Sequence, residues 1–577
     1  MKKEKKKNES ILENVEKKIE KAARNVMKEV KGVEEKMVGK GEETNGKTRG
    51  SKGHENGIKH EHEEFRKHEY KGEKLHKKIE MKNEDAGKNE NKAKEKTIDK
   101  NHKGITVEKD DFSEWFTQIM LKADLADYTS VSGCIVFKPT AWAIWEKIRD
   151  LVDEKIKKMN VKNVSFPLLI PEKLLVKEQE HVKGFAPEVA WVTEAGSSKL
   201  SERLAIRPTS EAIMYDSYSK WIRSWRDLPL KYNQWANVVR WEFEHPVPFL
   251  RTREFFFNEG HTVFASEKEA IAEQKDIIKM YKEICDNYLA LPSLDGKKTD
   301  KEKFAGAVYS YSLEHYMPNG RTIQGPIFHH DGQNFAKAYN IKFLSKDGKE
   351  EYAWQNTWAI STRMLGVMFA VHSDAKGLIL PPKVALNKIV IVPILFEDSK
   401  EKVLKKCREI SKQFENFGAI LDDREEYKPG WKFNEWEMKG IPLRIEIGPR
   451  DLESESVLVY RRDNAKKEAI KLKELKTKIG EMLEEIQKSM HKKAQELLKN
   501  AIIEVSALDE LKKAVEGKKI GFVPLCKSRE CEDELKFKSG GAKALNIPEE
   551  QPSKLGKSVC IMCKKKAEYF AYVGKSY

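Results

Sequence analysis

The stretch VVRWEFEHPVPFLRTREFFFNEGHT, Val238 to Thr262, holds more charge than two core-bound strands need. Its pattern predicts a strand over Asn237–His245, a loop at Pro246 and Pro248, and a return strand that starts at Arg251 and Arg253. Side chains alternate across a strand, so Arg240, Glu242 and Glu244 share one face. Guanidinium forks grip phosphate oxygens in bidentate fashion, and a carboxylate accepts from an exocyclic amine such as adenine N6. This surface therefore suits a polyanionic ligand with a hydrogen-bond-donating edge. Cross-strand ion pairs on a wet sheet face, each worth ~0.2–1 kcal/mol, are the other reading.

A second chemical set lies near the end of the chain, in Cys526-x4-Cys531 and Cys560-x2-Cys563. Four thiolates suit Zn2+ and leave no coordination position open, so such a site would be structural. Two loose thiol pairs in a reducing cell are the alternative. The other three of the seven cysteines are scattered, which argues against a secreted disulfide framework and for a reducing compartment.

The elements that position these groups fall into segments. Residues 1–104 read as a Lys/Glu/Asn/Gly-rich extension, largely disordered beyond residue 39. Within it Val15, Ile19, Ala22, Val26, Val30, Val33 and Met37 recur at helical spacing, as an amphipathic or coiled-coil-like helix or as a solvated helix that forms only partly. His54, His60, His62, His68 and His76 lie among acidic residues and read as metal ligands or as plain polar spacers. Residues 105–382 form a long globular region, with aromatic and apolar runs beginning at Phe112. Residues 383–490 alternate strand and helix (a strand at Lys388–Leu395, a helix at Glu401–Phe417, a strand at Ala419–Leu421), and Ala465–Lys499 reads as one long charged helix. Residues 491–577 hold the four grouped cysteines.

With 577 residues the chain has room for three or four domains, and its net charge of +15 favours an anionic partner such as nucleic acid. The basic start has no apolar stretch behind it, so no signal peptide is expected. No apolar run reaches ~18 residues, so no membrane span is expected and the protein is placed in the cytoplasm.

R-W-E, a loop and then L-R-T-R-E-F resembles motif 2 of class II aminoacyl-tRNA synthetases. RPTSE at Arg207–Glu211, NEGHT at Asn258–Thr262, GQNFAK at Gly332–Lys337, STRMLGVM at Ser361–Met368, KGLILPP at Lys376–Pro382, Tyr427–Leu452 and the final YFAYVGKSY are similar to prolyl-tRNA synthetase. The likeness runs from about Phe112 to Tyr577, in the family's order. The cysteine-bearing tail resembles the archaeal/eukaryotic-type form, and Arg251–Arg363 is too short for the long editing insertion of the bacterial type. The resemblance implies an α+β catalytic domain on an antiparallel sheet (the class II synthetase fold), an α/β anticodon-binding domain and a small zinc-binding α+β domain. It also implies a two-step reaction, in which proline attacks the ATP α-phosphorus and prolyl-adenylate then charges tRNA(Pro). ATP, Mg2+ and a structural Zn2+ are the implied cofactors.

By the same resemblance Arg240 and Arg363 are the catalytic arginines. Arg240 grips the α-phosphate and the proline carboxylate; Arg363 stacks on adenine and reaches the γ-phosphate, with Ser361 beside it. Glu242 reads the adenine amine, Arg251 and Thr252 contact the nucleotide, and Gln324 sits near phosphates and metal. Thr209 and Glu211 hold proline's ammonium, while Phe185, Phe257, Glu259, His261 and His329 shape the ring pocket. Taken singly, the aromatics and histidines also read as ordinary core residues. Trp142–Pro171 resembles motif 1, whose helix and strand build a homodimer interface around Pro167; locally it is also a plain αβ packing unit. Lys432, Arg444 and Arg450 are candidates to meet anticodon phosphates and Glu446 a guanine edge; each also reads as a solvated surface charge. Tyr577 and its carboxylate would point back toward the catalytic domain. The N-terminal helix lies outside the resemblance and suits either non-specific tRNA contact or a partner protein.

The chain departs from the family pattern in places. It reads QGPIFHHDGQN at Gln324–Asn334 where the pattern is close to QGATSHHLGQN, so Ile327 and Phe328 replace two small hydroxyl residues. That change is expected to remove polar contacts near the nucleotide and add bulk near the ring pocket. Phe257 stands where Trp is common, and Ser373 where Gly is common. Altered amino-acid choice, or a non-catalytic tRNA-binding relative, are therefore the competing readings.

Overall fold

The computed structural model describes residues 104–181, 188–242 and 245–577, all within the unit Asp99–Tyr577. The expected N-terminal helix, the histidine-bearing tract, Phe185 and Glu244 lie outside the described residues. No helix among the described residues is long and apolar enough to cross a membrane.

A seven-stranded sheet carries the first part. Its spatial order is Lys162–Asn163, Leu230–Val239, Glu254–Phe264, Trp354–Ala359, Thr322–Gly332, Tyr309–Tyr316 and Leu294–Lys297. Only the first pair is parallel; the rest are antiparallel. One face is packed by Pro139–Lys158, whose proline in the first helical turn has no N–H to leave unpaired. Its Ala141, Ile144, Trp145, Ile148, Val152 and Ile156 recur at three- and four-residue spacing and enter the main core. Glu267–Glu283 covers the same sheet and begins with a capping box between Ser266 and Glu269.

The strands around the opening motif are shorter than expected. The first ends at Val239, not His245, and the second begins at Glu254, after Arg251 and Arg253. Arg240 and Glu242 therefore lie past the strand end. The arginines of the turn are spent differently, because Arg253 donates to Ser132 O at 3.0 Å and packs over Trp241, tying the turn to residues 132–133.

The next sheet has the order Ile420–Leu421, Ile389–Pro393, Leu443–Ile447, Ser456–Arg461, Lys467–Lys471, with helices Lys400–Gln413 and Pro429–Met438. Here the expected helix over 465–499 is corrected: residues 467–471 form the edge strand and the helix is Leu475–Ala501. Edge pairing with Ser456–Arg461 outweighs the helical propensity of a Lys/Glu-rich segment. That 27-residue helix leads into a four-stranded sheet of Ile502–Glu504, Ile520–Leu525, Tyr569–Gly574 and Lys543–Asn546. The last sheet docks on the first: Lys297 and Ile547 exchange backbone hydrogen bonds of 2.9 and 2.7 Å. A Cβ on Gly296 would lie 2.2 Å from the Ile547 carbonyl, so this approach requires glycine.

Candidate active site

The open face of the seven-stranded sheet holds a cleft of about 780 Å3. Thr209, Glu211, Arg240, Glu242, Thr252, Phe257, Glu259, His261, Gln324, Ile327, His329, Ser361 and Arg363 all line it. Of the described site residues expected in the catalytic region, Arg251 alone is not in the lining; it neighbours Thr252, and its charge bears on Arg363. Residues from six separate segments thus converge on one surface.

The arginines are held by carbonyls that leave their forks oriented. Arg240 Nε donates to Pro208 O at 3.0 Å, and the guanidinium lies over the Phe255 ring. Arg363 Nε donates to Leu250 O and one terminal nitrogen to Gln324 O, each at 3.1 Å. Burial first, and then the neighbouring Arg240, push its pKa down to about 10. An anion between these two cations would relieve that repulsion.

The same cleft also carries carboxylates. Thr209 donates to Glu211, whose carboxyl is held above the usual range, chiefly by burial and partly by Glu259. Glu259 accepts from Ser210 N at 2.8 Å and Ser210 Oγ at 2.7 Å, and pairs with His261 at 3.3 Å. Burial pushes Glu259 up, but those partners outweigh it and its pKa falls. Tyr215 fixes the far nitrogen of His261 at 3.1 Å. His329 bonds Ser310 Oγ at 2.7 Å; burial and nearby Lys298 bring its pKa to about 3, so the ring is neutral.

Strand alternation corrects one expectation. Ile327 faces the cleft, but Phe328 points through the sheet into the main core and is fully buried. Only one of the two replacements adds bulk to the cleft. Ser373 adopts φ −69°, so its backbone conformation does not require glycine. The irregular segment 300–306 and Arg529 also line the cleft, where no sequence motif placed them. A polar loop and a solvent-facing arginine from distant segments carry no local signal.

The four grouped cysteines meet. All their sulfurs lie within 4.8 Å of one another, with Cys526 and Cys563 at 3.7 Å. A tetrahedral Zn–S distance of ~2.3 Å implies S···S edges of ~3.8 Å, so the set fits Zn2+. Cys526, Cys531 and Cys560 are buried; at exposed Cys563 a Lys565 amide brings the pKa to about 7.

The anticodon candidates separate. Arg450 is exposed, whereas Lys432, Arg444 and Glu446 are buried, which corrects their reading as solvated charges. Arg444 donates to Glu446 at 2.9 and 3.0 Å and to Glu437 at 2.9 Å, sandwiched between Phe433 and Tyr460. Lys432 donates to Asp422 O at 2.9 Å. These charges are buried because they neutralise one another.

Residues 191–372 match the family model for the tRNA synthetase class II core domain (G, H, P, S and T). Residues 388–482 match the anticodon binding domain, and 508–577 the model described as prolyl-tRNA synthetase, C-terminal. The cytoplasmic proline–tRNA ligase of Arabidopsis thaliana is 46% identical over 483 residues, 82% of this chain and 91% of that one. The chain belongs to the prolyl-tRNA synthetase family. It is a proline–tRNA ligase with a class II catalytic core. Proline–tRNA ligase 2 of Bacillus thuringiensis is 44% identical over 82% of this chain and 98% of its own. Two solved prolyl-tRNA synthetase structures from Cryptosporidium parvum superpose with TM-score 0.79 at 43% and 42% identity, each covering 82% of this chain and 97% of theirs. One is complexed with halofuginone and AMPPNP, the other with L-proline and AMP.

Proposed function

We propose that the cleft activates L-proline with ATP and passes the prolyl group to tRNA(Pro), with Arg240 and Arg363 taking the nucleotide and Thr209 and Glu211 taking the imino acid. The observation that carries this is the charge set gathered in one cleft: Arg240 and Arg363 line it together with Thr209 and Glu211, and Arg240 is bonded to Pro208 O, next to Thr209. Proline's ammonium pairs with Glu211, so its carboxylate faces Arg240. That carboxylate attacks the ATP α-phosphorus, and pyrophosphate leaves. No enzyme nucleophile is needed; preorganised arginines stabilise the charge that develops, on a rigid sheet.

Arg363 stacks on adenine and holds the γ-phosphate, with Ser361 beside it; Glu242 accepts from the adenine amine, and Arg251 and Thr252 flank the nucleotide. Mg2+ would be held by the triphosphate with Gln324 close by, supplying charge neutralisation for the leaving pyrophosphate. Phe257, Glu259, His261 and His329 shape the ring pocket, and Glu259 does so as a fixed anion already bonded to Ser210. Ile327 replaces a polar wall with an apolar one, which suits a saturated ring.

Cys526, Cys531, Cys560 and Cys563 would hold Zn2+, which would tie the C-terminal domain together. Arg450 is the candidate for anticodon phosphates, and the Lys432, Arg444 and Glu446 network stiffens the surface around it. The motif 1 region serves a homodimer: Leu168 and Leu169, beside Pro167, are 44% and 38% exposed, as an interface strand leaves them in a lone chain. A cytoplasmic location agrees with reduced cysteines.

Proline-dependent ATP–pyrophosphate exchange tests the central reading. Arg240→Ala and Arg363→Ala are each expected to cost ~10^2–10^3 in exchange rate. Exchange that needs an amino acid other than proline would replace this reading with the altered-specificity one.

A further inference from the structure

The cleft is not walled by the catalytic sheet alone. Residues 300–306, an irregular segment between the Leu294–Lys297 and Tyr309–Tyr316 strands, line it as well. Such a segment has no ladder to fix it, so its position depends on side-chain anchors. Inside the catalytic region, the Phe304 amide donates to Ser310 Oγ at 2.9 Å, and the same hydroxyl bonds His329 at 2.7 Å. The Phe304 ring lies against the His329 ring, with centroids 4.7 Å apart. The segment's position therefore sets one wall of the ring pocket.

The outer anchors come from the C-terminal domain, mostly from the single helix Arg529–Lys538. Thr299 Oγ1 donates to Glu532 Oε2 at 2.8 Å, and both residues are buried. Arg529 donates to Asp300 O at 3.3 Å, Lys301 pairs with Asp533, and Lys543 pairs with Glu302 at 3.0 Å. The solvent-exposed pairs contribute little. The Thr299–Glu532 bond is charge-assisted and shielded from water, which makes it the strong link.

Glu532 follows Cys531 of the thiol cluster. Its other oxygen lies 3.4 Å from the Tyr569 hydroxyl, which also donates to the Cys526 carbonyl at 3.1 Å. One carboxylate thus spans from the cysteine cluster to the active-site segment.

We propose that Glu532 is a positioning residue for the amino-acid site: through Thr299 it fixes segment 299–306, and with it Phe304 against His329, so that the thiol cluster governs the shape of the proline pocket. This rests on assigning His329 to the proline pocket.

The test combines exchange kinetics with a readout that needs no catalysis. KM for proline and for ATP is measured in the parent, Glu532→Ala, Glu532→Gln, Thr299→Val and the Glu532→Ala/Thr299→Val double variant. Each single loss of the bond is expected to raise KM for proline about ten- to a hundredfold, the span of one buried charged hydrogen bond. KM for ATP changes less than about twofold, the double variant is no worse than either single, and Glu532→Gln, which keeps an acceptor oxygen, restores most of the affinity. Thr299→Val leaves the C-terminal domain untouched, so misfolding of that domain cannot account for its effect. In parallel, trypsin cleavage after Lys301 and Lys303 is expected to accelerate in Glu532→Ala, and equally in the parent treated with a strong metal chelator. Unchanged proline KM in Thr299→Val, multiplying effects in the double variant, or cleavage indifferent to both Glu532 and chelation overturns the proposal. If the parent shows no proline-dependent exchange, the functional reading fails, and the cleavage comparison still decides the anchoring.

Discussion

Replacing Asp331 by asparagine is expected to stabilise the enzyme, and increasingly so as the pH rises. Asp331 sits at the irregular step between His330 and Gly332 and is fully buried. Neither of its carboxylate oxygens has a hydrogen-bond partner. The Thr357 hydroxyl faces it outside full hydrogen-bond geometry, and the Gln355 amide, on the same strand face as Thr357, is also unpaired. Burial, and then the negative Glu211, raise the Asp331 pKa well above the ordinary carboxylate range. An aspartate in the unfolded chain releases its proton near pH ~3.9. Above that pH the unfolded state binds one proton fewer than the folded state, so stability falls with rising pH until the folded carboxyl itself ionises. The slope is ~1.4 kcal/mol per pH unit. Asparagine has the same shape and no proton to lose. Between the unfolded and the folded pKa the stability difference between variant and parent therefore grows by ~1.4 kcal/mol per pH unit, while all other titrating groups cancel. Urea unfolding followed by pulse proteolysis, at a series of pH values, gives both curves. Parallel curves, or a variant less stable than the parent at the alkaline end, would refute the account of Asp331 as a proton trapped without a partner.

Other consequences are as direct. Because the Glu211 pKa is raised, proline binding should weaken as pH falls through that value; Glu211→Gln should flatten the KM profile for proline and raise KM about a hundredfold or more. A slope persisting in the glutamine variant would move the titration to another group. Gly260 stands under the Trp358 indole, where an added Cβ would lie 2.1 Å from the ring. Gly260→Ala should cost at least ~1–3 kcal/mol in the unfolding free energy, and a variant with the parent's midpoint would show that the ring moves freely. A zinc chelator, or Cys560→Ser, should lower the thermal midpoint while a metal assay counts about one Zn2+ per parent chain. An unchanged midpoint would reduce the four cysteines to two thiol pairs.

Much of this protein was legible one residue at a time. Local patterns suffice for the helix through Trp145 and Ile148, the strand at Ile389–Pro393, and the close-set cysteine pairs. The order of RPTSE, RWE, NEGHT and STRML was enough to gather Thr209, Arg240, Glu259 and Arg363 into one site, because each motif keeps its chemistry within a few residues. Two things were not local. Residues 467–471 became a strand because an edge was open beside Ser456–Arg461. Lys432, Arg444 and Glu446 went inside because counter-charges from other segments met them there.

What the sequence determined alone was the set of reacting groups and the periodicity of the elements that carry them. Only the tertiary structure decided that Ile327 faces the cleft while Phe328 fills the core, and that Glu532 reaches Thr299 across more than two hundred residues of chain. The physical reason is that a strand's inner face, and the partner of a buried charge, are fixed by pairing between segments remote in sequence, where no local pattern reaches.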